Sequence, residues 1–141
     1  MRVFIDTNVL VSAFATRGLC ADLFRVILTH HQALVSETVI AEFRHVLSEK
    51  FHIPDGVIAE VVESLTDIER VPQSMAQLSY AVRDPDDFRI LADALAGKAD
   101  VLLTGDADLL DLADVVSELR IMNPRGFWEM ERENRSTSTN R

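Results

Sequence analysis

Met1-Arg-Val-Phe-Ile-Asp6-Thr7-Asn8 opens the chain: a run of strand-formers that stops at an acid, followed by two small polar residues. A continuous apolar run is how a buried parallel strand reads, because helices cover both of its faces. In open α/β sheets, ligands sit beyond the carboxyl ends of the strands. Asp6 is thus placed where such a sheet does its chemistry. The pattern returns at Asp100-Val-Leu-Leu-Thr104-Gly105-Asp106, a second apolar strand running into an acid. Two strands of this kind predict one acidic site shared between them.

Working outward, short apolar runs alternate with segments of helical periodicity. Residues 2–6, 33–36, 68–71, 100–104 and 119–122 read as strands. Residues 8–15, 19–31, 38–49, 55–66, 86–97, 106–113 and 124–132 read as helices, with a short one near 74–80. Ser36 and Thr38 are N-cap types ahead of the third helix, Pro54 suits a first turn, and Gly97 suits a helix stop. This alternation predicts an α/β, three-layer, Rossmann-like domain with a mostly parallel four- to five-stranded sheet and helices on both faces. Residues 1–130 form that domain. The polar tail 131–141, rich in Ser, Thr and Asn, is expected to be disordered.

Bulk properties narrow the class. A chain of 141 residues, 48% hydrophobic and 26% charged, is an ordinary globular domain. No apolar stretch approaches the roughly 20 residues that span a bilayer, and no basic leader precedes the first strand. The single Cys20 excludes an internal disulfide framework. A cytoplasmic protein with no membrane attachment is the expectation. The net charge of −9 argues against a broad nucleic-acid footprint. The acids are not scattered, however: Asp6, Glu42, Asp84, Asp86, Asp87, Asp106 and Asp108 fall in or near the candidate motifs.

Topology brings four of these segments to the same sheet edge, since crossover helices begin where strands end. At an effective dielectric near 20, two carboxylates about 5 Å apart repel by roughly 3 kcal/mol. Four of them make six pairs, on the order of 20 kcal/mol by the same arithmetic, which rivals the stability of a whole domain. Protons or cations must relieve that repulsion. All-oxygen donors favour Mg²⁺ or Mn²⁺, and such ions suit phosphoryl chemistry. Other residues read more plainly. Asp108 is first-turn helix charge, and Phe127 and Trp128 anchor the last helix. His30, His31 and His52 lie at the surface or at helix ends. Glu42-x-x-His45 has the spacing of a di-iron pair but lacks the second copy that such sites need.

The set Ile5-Asp6-Thr7-Asn8, Glu42 in a helix, Arg83-Asp84-Pro85-Asp86-Asp87 and Leu103-Thr104-Gly105-Asp106-Ala-Asp108 resembles the PIN-domain family. Within it, the chain is most similar to the VapC-like toxin components of bacterial toxin–antitoxin systems. The likeness extends to Ile121-Met-Asn-Pro124-Arg-Gly-Phe127 and spans residues 1 to about 130. It implies a Mg²⁺- or Mn²⁺-dependent endoribonuclease giving 5′-phosphate and 3′-hydroxyl ends, a cognate antitoxin and a homodimer. By the resemblance, Asp6, Glu42, Asp87 and Asp106 are the catalytic, metal-holding acids, and Asn8 and Thr104 orient them. The usual spacing counted back from Asp106 lands on Phe88, so Asp84, Asp86 and Asp93 stay open as the third acid. Three other readings remain. A Mg²⁺-binding receiver-like signalling module would want a second acid beside Asp6 and a late lysine. A haloacid-dehalogenase-like phosphatase would want an acid where Asn8 stands. A catalytically inactive PIN scaffold would need none of the acids.

Overall fold

The computed structural model describes residues 1–72 and 85–139, with backbone alone at 85–87 and 137–139. The expected helix near 74–80 and Asp84 lie outside the described residues. Five strands form one sheet: β1 (Arg2–Ile5), β2 (Gln32–Ser36), β3 (Glu69–Val71), β4 (Val101–Leu103) and β5 (Arg120–Met122). Their order is β3-β2-β1-β4-β5 and every neighbouring pair is parallel. The chain moves outward from β1 in one direction, then returns to lay β4 on its other side. That reversal puts a switch point between β1 and β4, where open sheets leave a crevice for ligands.

Helices α1 (Thr7–Ala15), α2 (Leu19–His30), α3 (Glu37–Glu49), α4 (Asp55–Glu63), α5 (Pro85–Ala96), α6 (Ala107–Leu110) and α7 (Pro124–Thr139) make the connections. The central strands are apolar throughout because both faces are covered: Val3, Phe4, Ile5, Leu34, Val35, Leu102 and Leu103 are fully buried. Burying each such side chain contributes roughly 1.5–3 kcal/mol. α3 starts at Glu37 because the Ser36 hydroxyl accepts the Val39 amide. It buries Val39, Ile40, Phe43 and Leu47, which leaves its opposite face free to line a groove.

Several elements differ from their sequence signals. The left-handed turn after α5 falls on Lys98 (φ 56°), not on Gly97. Gly97 serves instead for close approach, since a Cβ there would come within 2.9 Å of Val71 Cγ1. α6 is one turn long and gives way to a run of turns. α4 ends at Glu63, although Leu65 beyond it remains buried. α7 does not stop near 132 but continues to Thr139. Within it, the buried Glu131 accepts from His31 Nε2 at 2.7 Å, and the ring of His31 meets Phe127 edge-on. His31, the C-cap of α2 and thus at a helix end as expected, is packed beneath α7. Phe127 is fully buried and anchors that helix. Among the described residues, no helix is long and apolar enough to cross a membrane.

Candidate active site

Asp6 is the first residue after β1 and the N-cap of α1. Its Oδ1 accepts the Thr7 amide at 2.7 Å, and its Oδ2 accepts the Thr104 hydroxyl at 2.7 Å. Thr104 follows β4, so the two strands flanking the switch point are joined through this carboxylate. The Asp106 amide donates to Thr104 Oγ1 at 3.0 Å, which leaves the Thr104 proton for Asp6. Asp106 in turn caps α6, with Oδ1 accepting the Asp108 amide at 2.8 Å. Asn8 accepts the Gly105 amide at 3.0 Å, while its Nδ2 stands 3.5 Å from Asp6 Oδ2. Asn8 and Thr104 thus fix the end of β4 against the end of β1.

Glu42 comes to the same place from α3. Its Oε2 accepts the Thr7 hydroxyl at 2.6 Å. Thr7, not singled out in the sequence, is therefore the link between the first acid and the second. Its amide holds Asp6 and its hydroxyl holds Glu42. No sequence signal separates this role from that of a helix-starting threonine, because Glu42 is 35 residues away. Thr7→Val would remove this hydroxyl at nearly constant volume and leave Glu42 without the partner that holds it beside Asp6.

Asp6 is 5% exposed. Burial pushes its carboxyl up from 3.8 to about 6. The bonds from Thr104 and Thr7 work against that rise, and the charges of Glu42 and Asp106 add to it. A buried acid held near neutrality beside two others is a functional-site signature with a physical cause. The three acids, with Thr7 and Asn8, line an open groove of about 760 Å³ that continues along α3 past His45, Lys50 and Phe51.

Not every candidate is brought together. Asp93 is fully buried within α5 and, among the described residues, does not line the groove. Ile90, on the same helix, does. The side chains of Asp86 and Asp87 and the whole of Asp84 lie outside the described residues. Among the described residues, no three His, Cys, Asp or Glu side chains form a ready-made metal cluster. Asp108 sits in the first turn of α6, as its sequence position suggests.

A family model for the PIN domain matches residues 2–108. The chain belongs to the PIN-domain family. Its parallel sheet with helices on both faces is the family's three-layer α/β arrangement, and the matched span contains Asp6, Glu42, Asp87 and Asp106. No curated protein matches the chain in sequence. Among solved structures, the PIN fold here is similar to VapBC2 from Rickettsia felis bound to a DNA fragment from their promoter. That match has a TM-score of 0.64 and 16% identity, covering 87% of this chain and 98% of that one. It is also similar to VapC20 from Mycobacterium tuberculosis, a Sarcin-Ricin loop cleaving toxin (TM-score 0.57, 14% identity, 84% and 98% covered). A third is the PIN domain endonuclease Utp24 (TM-score 0.54, 21% identity, 86% and 84% covered). At these identities the likeness is one of fold.

Proposed function

We propose that this PIN domain is a metal-dependent endoribonuclease acting as the toxin of a toxin–antitoxin pair. One observation carries the reading: the buried Asp6, poised near pH 6, shares an open groove with Glu42 and Asp106. The donor set fits Mg²⁺ or Mn²⁺. It is all oxygen, it concentrates negative charge that a hard dication offsets, and Asp6 keeps a lone pair beyond the three bonds it accepts. Asp6, Glu42 and Asp106 would hold the ion, with Asp87 as the third acid in chain order, one helical turn before the groove-lining Ile90. When bound, the ion supplies Lewis-acid polarisation of the scissile phosphate and a more acidic water.

The chain's own residues set the geometry. Thr104 and the Thr7 amide hold the Asp6 carboxylate from two sides, so it needs no reorganisation when charge develops nearby. Thr7 fixes Glu42 at the opposite wall. The groove is open enough for a polymer strand to cross the acids, which favours cutting within a chain. The toxin role rests on the fold it shares with VapC20 and VapBC2. It implies an antitoxin covering the groove, a homodimer and a cytoplasmic setting.

The test is incubation of the purified chain with RNA in Mn²⁺ or Mg²⁺, with an EDTA control. Internal cleavage that EDTA abolishes is expected. RNA left intact in both cations supports the inactive-scaffold alternative, and cleavage that survives EDTA refutes the metal.

A further inference from the structure

The groove changes character along α3. Glu42 lies in its first half and Lys50 caps its end, a rise of eight residues or about 12 Å. The acidic end gathers around the buried Asp6, whereas the far end presents His45, Lys50 and Phe51, all exposed. Lys50 is one of only two lysines in the chain. Among the described residues it is the one permanent cation lining the groove, and no ion pair engages it. Phe51 is 47% exposed, one of few large apolar side chains left in solvent, and no ring contact holds it among the described residues.

The backbone is built to present this pair. His52 takes φ 52°, a left-handed conformation that is uncommon for a residue with a Cβ. The chain reverses there, and the Ile53 amide bonds back to the Leu47 carbonyl at 3.1 Å. Lys50 and Phe51 are thereby fixed at the mouth of the groove. A left-handed residue just beyond a helix end is a common way of terminating it.

A flat ring with an open face beside a cation, a few nucleotides from a phosphodiester-cleaving centre, has the chemistry of a single-strand subsite. Aromatic faces stack unpaired bases, and an ammonium neutralises the adjoining phosphate. A base within a duplex has no free face to offer. We propose that the end of the groove formed by Lys50 and Phe51 is a subsite for one unpaired nucleotide, Phe51 stacking its base and Lys50 holding its phosphate. The identity of the ligand rests on the nuclease reading above, but its binding can be measured apart from cleavage.

The experiment is fluorescence anisotropy of a short labelled RNA, alone or annealed to its complement, titrated with the full chain carrying Asp6→Asn in Ca²⁺. Phe51→Ala in that background is expected to weaken single-strand binding by roughly 5- to 100-fold, with Phe51→Trp restoring it. Lys50→Ala is expected to lower the slope of log affinity against log salt by about 1. Both side chains are exposed, so unchanged thermal melting confirms folded variants. Wild-type affinity in Phe51→Ala, or an equal Phe51→Ala loss on duplex and single strand, overturns the subsite. A Phe51→Ala effect on self-association alone reassigns the surface to a second copy of the chain. If the binding pattern holds while the unsubstituted chain cuts no RNA in Mn²⁺, the nuclease reading fails and the subsite stands. If the chain cuts RNA but the binding pattern is missing, the subsite fails and the nuclease reading stands.

Discussion

Asp6→Asn is expected to lower RNA cleavage by roughly a hundred- to a thousandfold, the equivalent of several kcal/mol at about 1.4 kcal/mol per tenfold. The substitution keeps the side chain's shape, and its carbonyl oxygen can still accept the Thr7 amide. What it removes is the charge and, at the other oxygen, the acceptor for the Thr104 hydroxyl. Without that charge, the carboxylates of Glu42 and Asp106 no longer share a site with a third anion. Relative to the wild type, the metal-free variant is therefore expected to gain stability as the pH rises from 4 to 7, while losing its activity. Full cleavage by folded Asp6→Asn protein would take Asp6 out of the chemistry. A fall in cleavage accompanied by loss of the folded state would show that the acid is structural.

The second large effect is on stability as a function of pH in the absence of metal. The Asp6 carboxyl titrates near its ordinary 3.8 in the unfolded chain and at about 6 in the folded one. Below pH 4 both states hold the proton and folding carries no penalty. Between pH 4 and pH 6 the unfolded chain has released it while the folded chain still binds it, so stability falls as pH rises. Above pH 6 both are ionised and the loss is complete. A difference of about two pKa units corresponds to a loss on the order of 3 kcal/mol. Glu69, held below its ordinary value by Arg2, shifts in the opposite direction. The quantity to follow is thus the difference between wild type and Asp6→Asn in chemical denaturation with EDTA. That difference is expected to grow with pH from 4 to 7 and then level off. Saturating Mn²⁺, which binds the folded state, should remove it. A difference that is flat across this range would mean that Asp6 is not held as an anion in a desolvated cluster.

Much of this site is legible in the sequence because its parts are local signals. The apolar run before Asp6 gives the strand, and the acid at its end gives the edge. Ser36 marks the start of α3, which positions Glu42 one turn and a half later. The run before Thr104 repeats the first strand. What cannot be read from the chain depends on contacts far apart in it. The Thr7 hydroxyl finds Glu42 across 35 residues, and Glu131 finds His31 across 100. The second of these contacts pins α7 to the end of α2. Gly97 serves its close approach to Val71, a tertiary fact, while the positive φ falls on Lys98 beside it. Likewise, the exposure of Phe51 has no sequence signature, because an apolar residue after a helix reads as core until the turn at His52 directs it into the groove.

The central claim is that these carboxylates hold a divalent cation, and calorimetric titration of Mn²⁺ tests it most directly. Wild-type protein at pH 7 is expected to bind the ion, with proton release increasing as the pH is lowered toward 6 and Asp6 has to give up its proton. Asp6→Asn is expected to lose that binding. Equal Mn²⁺ affinity in the two proteins, or no binding by the wild type, would contradict the claim.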